Sequence, residues 1–381
     1  MAKLKVVHVV AGLWRENGGP SVVIPNLCLS LMRNNCDVTI ITVDGNHSDE
    51  LIFAQRMGID TYSFKSITWS PIRYCIGMNG AMKNIIKDAD IVHNHGLWLY
   101  PNWIALKWAK FYRKPLVLTP HGVLDPNLFN KKKYKKIIPW LFFDKNIVKY
   151  SSIIYALSES ESDAIIKTVP YVSKKIKVIP NGVFIENISK INKDNSLSRF
   201  SKNKKLLFLS RVAPIKGIEN LLYVWKKINS LSPKWVLLIA GPIDKKLEKY
   251  FADKIELGKS NIYYLGSLFG SEKNIAYNEA DIFVLPSYGE GLPTVLLEAM
   301  SFSKPILYTE ECNLPIASQY GAGISYNASD HESLERNLKV MISYSDNKRR
   351  IMGQKGRQII NNFFSWDTVA TEMLRSYGNL F

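Results

Sequence analysis

Short apolar runs bounded by turn residues alternate with longer helix-like stretches along almost the whole chain, and this alternation limits the fold more than any other feature. Runs at 5–11, 37–43, 91–93, 116–120 and 153–157 read as strands, with helices expected at 21–34, 77–88, 102–112 and 160–168. The runs are apolar rather than alternating, the pattern of parallel strands buried on both faces. It restarts with strands at 206–210, 235–240, 262–265, 282–286 and 305–308, and with helices at 217–230, 245–257, 272–279, 292–302, 330–343 and 347–361. An α/β chain of two doubly wound units in tandem follows. The length of 381 residues agrees, being more than one hydrophobic core accommodates.

The join falls at Pro180-Asn181-Gly182-Val183 and the Ser-, Asn- and Lys-rich stretch 184–205, which reads as a linker. The expected domains are 1–185 and 186–362. A last segment, 363–381, carries a helix at 363–377 whose home domain the sequence leaves open, packing back on the N-terminal domain being one arrangement.

Lys and Arg number 50 against 33 Asp and Glu, a net charge of +17, with most of the excess in residues 1–180. Such a field attracts phosphates, whether of nucleic acid, an anionic membrane surface or phosphorylated small molecules. A nucleic-acid binder would interleave stacking aromatics with the charge on one surface. Here the aromatics fall mostly in apolar runs that read as core, so no nucleic-acid partner is expected. No stretch reaches the roughly 18 to 20 apolar residues of a spanning helix, and 6–13 reads as a buried first strand rather than a signal peptide. Cys28, Cys36, Cys75 and Cys312 lack CxxC spacing, so neither a zinc site nor a disulfide framework is indicated and a reducing cytoplasm is expected.

In the second half, Gly289-Glu290-Gly291-Leu292-Pro293-Thr294 follows a strand and opens the helix that carries Glu298. The glycines permit close backbone approach, Pro293 suits a first helical turn, and the helix start offers free amides to an anion such as a diphosphate. Glu298 sits in an apolar helix, where a carboxylate needs a partner, whereas Glu290 stays in the loop. Upstream, Arg211 and Lys216-Gly217 leave the first strand of the second domain at its carboxyl end, where ligands of open α/β sheets bind. A planar guanidinium and a point-charge ammonium together suit a diphosphate. In the first half, Gly18-Gly19 departs from the G-x-G-x-x-G spacing and no acidic residue is clearly placed for a ribose, so a dinucleotide site is disfavoured.

Together these residues resemble the family 4 retaining glycosyltransferases of the GT-B fold. The most specific part is the E-x7-E motif, Glu290 to Glu298, after Leu285-Pro286-Ser287-Tyr288-Gly289. Arg211 with Lys216-Gly217, Gly18-Gly19, Pro120-His121-Gly122 and Pro180-Asn181-Gly182-Val183 support it, and the resemblance spans essentially the whole chain.

The resemblance implies two Rossmann-like domains facing a cleft, with a nucleoside-diphosphate sugar of the UDP or GDP type as donor substrate on the C-terminal side. Glu298 would take ribose hydroxyls, Arg211 and Lys216 the diphosphate, and Glu290 with Gly291, Leu292, Pro293 and Thr294 the sugar. Gly18-Gly19 would approach the phosphates, and His121 would line the cleft near sugar and acceptor; His121 and Glu290 are the expected catalytic residues. Retention of anomeric configuration is implied, and no carboxylate stands out as a covalent nucleophile. No Asp-x-Asp is seen at a strand end, and neither metal nor other cofactor is expected. His93 and His95 are read as projecting from opposite faces of their strand with no third ligand evident; His95 is taken as an acceptor-side residue. Ser158 and Glu161 have capping-box spacing.

The run 131–143 joins five lysines to an aromatic and aliphatic stretch. As a helix it would rest on an anionic bilayer; the alternative is a basic loop followed by a core helix. Docking would suit an acceptor saccharide carried on a polyprenyl diphosphate, in bacterial surface polysaccharide synthesis (O-antigen, capsule or lipopolysaccharide), with the protein cytoplasmic and peripheral on the inner face of the membrane. The competing readings are a GT-B sugar epimerase or phosphorylase and a basic nucleic-acid-binding protein.

Overall fold

The computed structural model describes residues 3–14, 19–43, 48–67, 70, 72–126, 129, 133–185, 197–229, 233–245, 247–248, 261–330 and 332–381, without the side chains of 133–135. Gly18 and most of the helix expected at 245–257 lie outside the described residues. The chain divides into two compact units, Met1–Gly182 with Trp366–Phe381, and Val183–Ser365.

The first unit is a parallel sheet of β1 (Leu4–Val10), β2 (Cys36–Thr42), β3 (Asp60–Ser63), β4 (Ile91–His95), β5 (Leu116–Thr119), β6 (Ile153–Ala156) and β7 (Ile176–Val178) in the order β3-β2-β1-β4-β5-β6-β7. The second unit has β8 (Lys204–Leu209), β9 (Trp235–Ala240), β10 (Ile262–Tyr264), β11 (Ile282–Leu285), β12 (Ile306–Thr309) and β13 (Gly323–Tyr326) in the order β10-β9-β8-β11-β12-β13, again parallel. In each sheet the order reverses beside the first strand, between β1 and β4 and between β8 and β11. That reversal opens a crevice at the carboxyl ends of the strands, the place where doubly wound sheets bind ligands. Central strands such as β9, apolar and buried at every position, are the ones legible as apolar runs.

Three strands are not anticipated by those runs: β3, β7 and β13. All three are sheet edges, and their half-exposed, partly polar faces, as in Asp60-Thr61-Tyr62-Ser63, hide them from a search for apolar runs. The helix Asp49–Arg56 was missed too; Ser48 caps it by accepting from the Leu51 amide at 3.2 Å.

The last helix, Trp366–Gly378, belongs to the first unit and packs on the helix Gly19–Arg33. Ser30 Oγ donates to the Trp366 carbonyl at 2.9 Å. The crossing explains Gly182: a Cβ there would lie 2.6 Å from the Trp366 ring.

Candidate active site

In the second unit the predicted residues gather at the reversal between β8 and β11. Beyond β8 the chain passes exposed Arg211, turns through Pro214–Lys216 and enters the helix Ile218–Ile228 at Gly217. Gly217 has φ +69°, and a Cβ on it would sit 1.9 Å from the Pro286 carbonyl oxygen, so only glycine lets this loop lie against the loop after β11. The two loops are tied: the Tyr288 amide and Ser287 Oγ both donate to the Ile215 carbonyl, at 2.8 and 3.0 Å.

This contact brings Lys216 to Glu290, and the two form an ion pair with only 16% and 12% of their side chains exposed. The backbone of Glu290 is held on both sides. Its amide donates to the Glu311 carbonyl at 3.1 Å, and Asn313 Nδ2 donates to its carbonyl at 2.6 Å. Asn313 adopts φ +54°, a conformation asparagine tolerates better than most residues. Arg211 forms no ion pair among the described residues.

The helix bearing Glu298 runs Thr294–Ser301. Pro293 precedes it rather than occupying its first turn, since its ψ of 115° is extended; its φ of −74° fits either position and so gave no warning. The Leu296 amide donates to the Pro293 carbonyl at 3.1 Å, while the amides of Thr294 and Val295, as at any helix start, have no acceptor within the helix, the kind of end that suits an anion. Glu298 finds the partners a carboxylate requires in such a helix: Lys273 Nζ at 2.7 Å and Tyr277 Oη, which donates at 2.8 Å. Lys273 and Tyr277, four apart on the helix Gly270–Glu279, share one face, a spacing too common to single them out in the sequence. Burial, with the Glu298 charge adding to it, holds the Tyr277 phenol far above its ordinary range, so it remains a donor.

In the first unit Gly19 opens the helix Gly19–Arg33, two residues before the expected start at Ser21, whose hydroxyl donates to the Trp14 carbonyl at 2.6 Å. A Cβ on Gly19 would meet nothing within 4 Å, so packing does not demand glycine there. His121 does not end a strand, as expected, but sits in the turn after β5 with φ +54°, followed by Gly122 at φ +80°. Glu161 braces this turn. Ser158 caps the helix Glu159–Thr168 by accepting from the Glu161 amide at 3.1 Å, but the Glu161 carboxylate accepts from the Gly122 and Leu157 amides, at 2.6 and 2.8 Å, instead of closing a capping box. Burial outweighs those two amides and leaves the Glu161 carboxyl above its usual range.

The reading of His93 and His95 on opposite faces is overturned. Residues two apart on a strand share a face, and here the two rings stack with centroids 4.2 Å apart. His8, paired with His93 in the register of β1 and β4, adds the third imidazole that was thought lacking. The three offer nitrogens within 4.8 Å of one another, close enough to consider a metal. Yet the His93–His95 and His8–His95 rings lie nearly parallel, at 24° and 16°, so their in-plane lone pairs run side by side instead of converging. The nitrogens are also engaged: His93 with Tyr377 Oη at 2.6 Å and Thr119 Oγ1 at 2.7 Å, and His95 with His8 at 2.9 Å and His121 at 3.1 Å. A hydrogen-bonded chain fits this geometry better than an ion. With both nitrogens taken and 4% exposure, His95 is not placed to meet an acceptor. Burial depresses all four rings, His8 to about 3 and His121 to about 4, with His93 and His95 well below their ordinary value, so all are neutral at neutral pH.

The comparisons with known proteins fit this layout. The sequence model of "Glycosyl transferases group 1" matches residues 189–359, and that of "Glycosyltransferase Family 4" matches residues 17–187. The chain belongs to glycosyltransferase family 4. Among similar proteins is the GDP-mannose:cellobiosyl-diphosphopolyprenol alpha-mannosyltransferase of Xanthomonas oryzae pv. oryzae, 25% identical over 365 residues, 90% of this chain and 89% of that one. The O-antigen chain mannosyltransferase of Salmonella typhimurium is 25% identical over 267 residues, 64% of this chain and 69% of its own. The glycosyltransferase also shares its fold with Anabaena HepE, solved with UDP and glucose, at a TM-score of 0.78 and 15% identity over 99% of this chain and 100% of that one. The fold is GT-B, two Rossmann-like domains.

Proposed function

We propose that this glycosyltransferase moves one sugar, with retention and without a metal ion, from a nucleoside-diphosphate sugar of the UDP or GDP type to a saccharide carried on a polyprenyl diphosphate, in bacterial surface polysaccharide assembly. The observation that carries the reading is the set of charged side chains at the reversal of the second sheet: exposed Arg211, Lys216 paired with Glu290, and Glu298 held by Lys273 and Tyr277. In the transfer, an acceptor hydroxyl attacks the anomeric carbon as its bond to the diphosphate oxygen breaks, the hydroxyl proton passing to the departing diphosphate, which leaves as the nucleoside diphosphate. Negative charge grows on the departing diphosphate, and Arg211, Lys216 and the first amides of Thr294–Ser301 offset it. Glu290 accepts from hydroxyls of the sugar, Glu298 accepts from those of the ribose, and His121 serves the sugar. A polyprenol-linked acceptor and an NDP-sugar donor are supported by the name of the Xanthomonas relative, the donor class also by the UDP complex of HepE, and surface polysaccharide assembly by the name of the Salmonella relative.

The test is a thermal-shift screen in EDTA against UDP, GDP, ADP, dTDP and CMP and their sugar conjugates. One diphosphate class is expected to raise Tm selectively, by mass action on the folded state. A rise that requires added divalent metal would overturn the metal-free part of the proposal.

The run at 131–143 supports the membrane side. Its described part forms the helix Lys133–Pro139 and a π-helical turn, Trp140–Asp144, while Lys131 and Lys132 lie outside the described residues. The alternative of a core helix does not hold: Ile138, Leu141 and Phe142 are 65%, 58% and 67% exposed, and Ile137 and Phe143 are exposed as well. Asp144 alone in the turn is buried, accepting from the Trp98 amide at 2.9 Å, and burial lifts its carboxyl to about 6. Among the described residues no helix is long and apolar enough to cross a membrane. Vesicles containing anionic lipid are expected to bind the protein in a salt-sensitive way, and Leu141→Ser with Phe142→Ser to weaken that binding about tenfold. Equal binding by the double variant in a flotation assay would refute docking through this face.

A further inference from the structure

The histidines of the first unit are engaged end to end. His121 Nε2 meets His95 Nδ1 at 3.1 Å, His95 Nε2 meets His8 Nδ1 at 2.9 Å, and His8 Nε2 is buried without a partner among the described residues. His121 Nδ1 makes no hydrogen bond among the described residues. The outer ring of the chain, His121, is thus partly exposed, and the nitrogen at the inner end is fully buried.

A neutral imidazole carries one N–H and one lone pair, so each ring in such a chain must donate at one end and accept at the other. Only two arrangements satisfy both contacts. Either all three rings are Nε2–H, which leaves an N–H on His8 buried and unpaired, or all three are Nδ1–H, which leaves a lone pair there. Mixed tautomers place two hydrogens or two lone pairs face to face. A buried orphan N–H is rarer in proteins than an under-satisfied acceptor, so the inner end selects the direction of the whole chain. Depressed titration keeps the rings neutral and therefore bound by this rule. His93 stands outside the constraint, because its partners, Tyr377 and Thr119, are hydroxyls that rotate to suit either tautomer.

The geometry points to His121, His95 and His8 as one directional relay in the Nδ1–H form, which fixes His121 as a hydrogen-bond donor at Nδ1, with His95 and His8 as positioning residues acting through it. This rests on the reading that His121 serves the sugar during transfer, and it makes His121 a donor to a sugar oxygen rather than a base that takes the acceptor's proton. The role is assigned from the buried end of the chain, two rings away from His121 Nδ1.

The whole chain labelled with 15N-histidine gives only six imidazole rings, twelve ring nitrogens, to assign. Long-range 1H–15N spectra at neutral pH are expected to show the Nδ1–H pattern on His8, His95 and His121 alike. Nε2–H on His121, or unlike tautomers among the three, overturns the relay. His8→Asn keeps a donor near the Nδ1 position and should leave the His121 signals in place. His8→Leu removes it, should send His121 into a tautomer mixture, and should lower kcat about tenfold with KM for the sugar donor little changed. An unmoved His121 tautomer in a folded His8→Leu protein overturns the coupling. The spectra need no substrate, so they test the relay even if His121→Ala proves fully active, a result that would instead remove His121 from the transfer step.

Discussion

Glu290→Gln is expected to lower kcat about 10²- to 10³-fold while nucleoside-diphosphate binding stays as tight as before or tightens. The split follows from the ion pair. Glu290 holds the ammonium of Lys216, and both are mostly withdrawn from water. A bound diphosphate competes for that ammonium, so replacing the carboxylate by a neutral amide removes the competitor and frees Lys216 for phosphate. What is lost is the charged acceptor for sugar hydroxyls during bond breaking. Glutamine keeps the loop in place, because the backbone contacts to Glu311 and Asn313 do not involve the side chain. Calorimetric titration with the diphosphate alongside initial rates separates the two effects. Parallel loss of binding and turnover would show that Glu290 serves only to hold the loop that carries Lys216.

The sequence made the two sheets legible because their central strands are uniformly apolar, and it failed at β3, β7 and β13 because these three edge strands are half-exposed and partly polar. The E-x7-E spacing was legible as a linear pattern, and so were Arg211 and Lys216. The residues that make the motif work were not. Lys273, Tyr277 and Asn313 reach Glu298 and Glu290 from separate elements, and only the fold states their adjacency. Glu161 is a case of a correct local reading with an incomplete consequence: its capping position was visible, but the amide of Gly122, 39 positions away, was not. The histidine chain was missed through a mistaken periodicity. Treated as one face of a strand, His93 and His95 would have pointed toward a third ring, although nothing linear designates His8 as that ring.

Glu298→Ala is expected to weaken nucleoside-diphosphate binding about 100-fold, since two hydrogen bonds from ribose hydroxyls to a charged acceptor contribute together about 3 kcal/mol or more. The substitution also strips Lys273 of its ion pair and leaves the Tyr277 hydroxyl only the Val295 carbonyl at 3.3 Å, so a lower Tm accompanies it and must be separated from the binding loss. Tyr277→Phe provides the separation. It removes the hydroxyl that orients Glu298 but leaves the carboxylate and its lysine, so affinity should fall only a few-fold, of the order of one neutral hydrogen bond. If Tyr277→Phe weakens binding as much as Glu298→Ala, the carboxylate acts by keeping the helix Thr294–Ser301 against Gly270–Glu279 rather than by touching the ribose. A further discrimination comes from the ligand: a 2′,3′-dideoxy nucleoside diphosphate should bind wild type and Glu298→Ala alike. The direct contact predicts that equality because the missing hydroxyls and the missing carboxylate are two ends of the same bonds, and a variant with a merely disordered helix would lose affinity for both ligands.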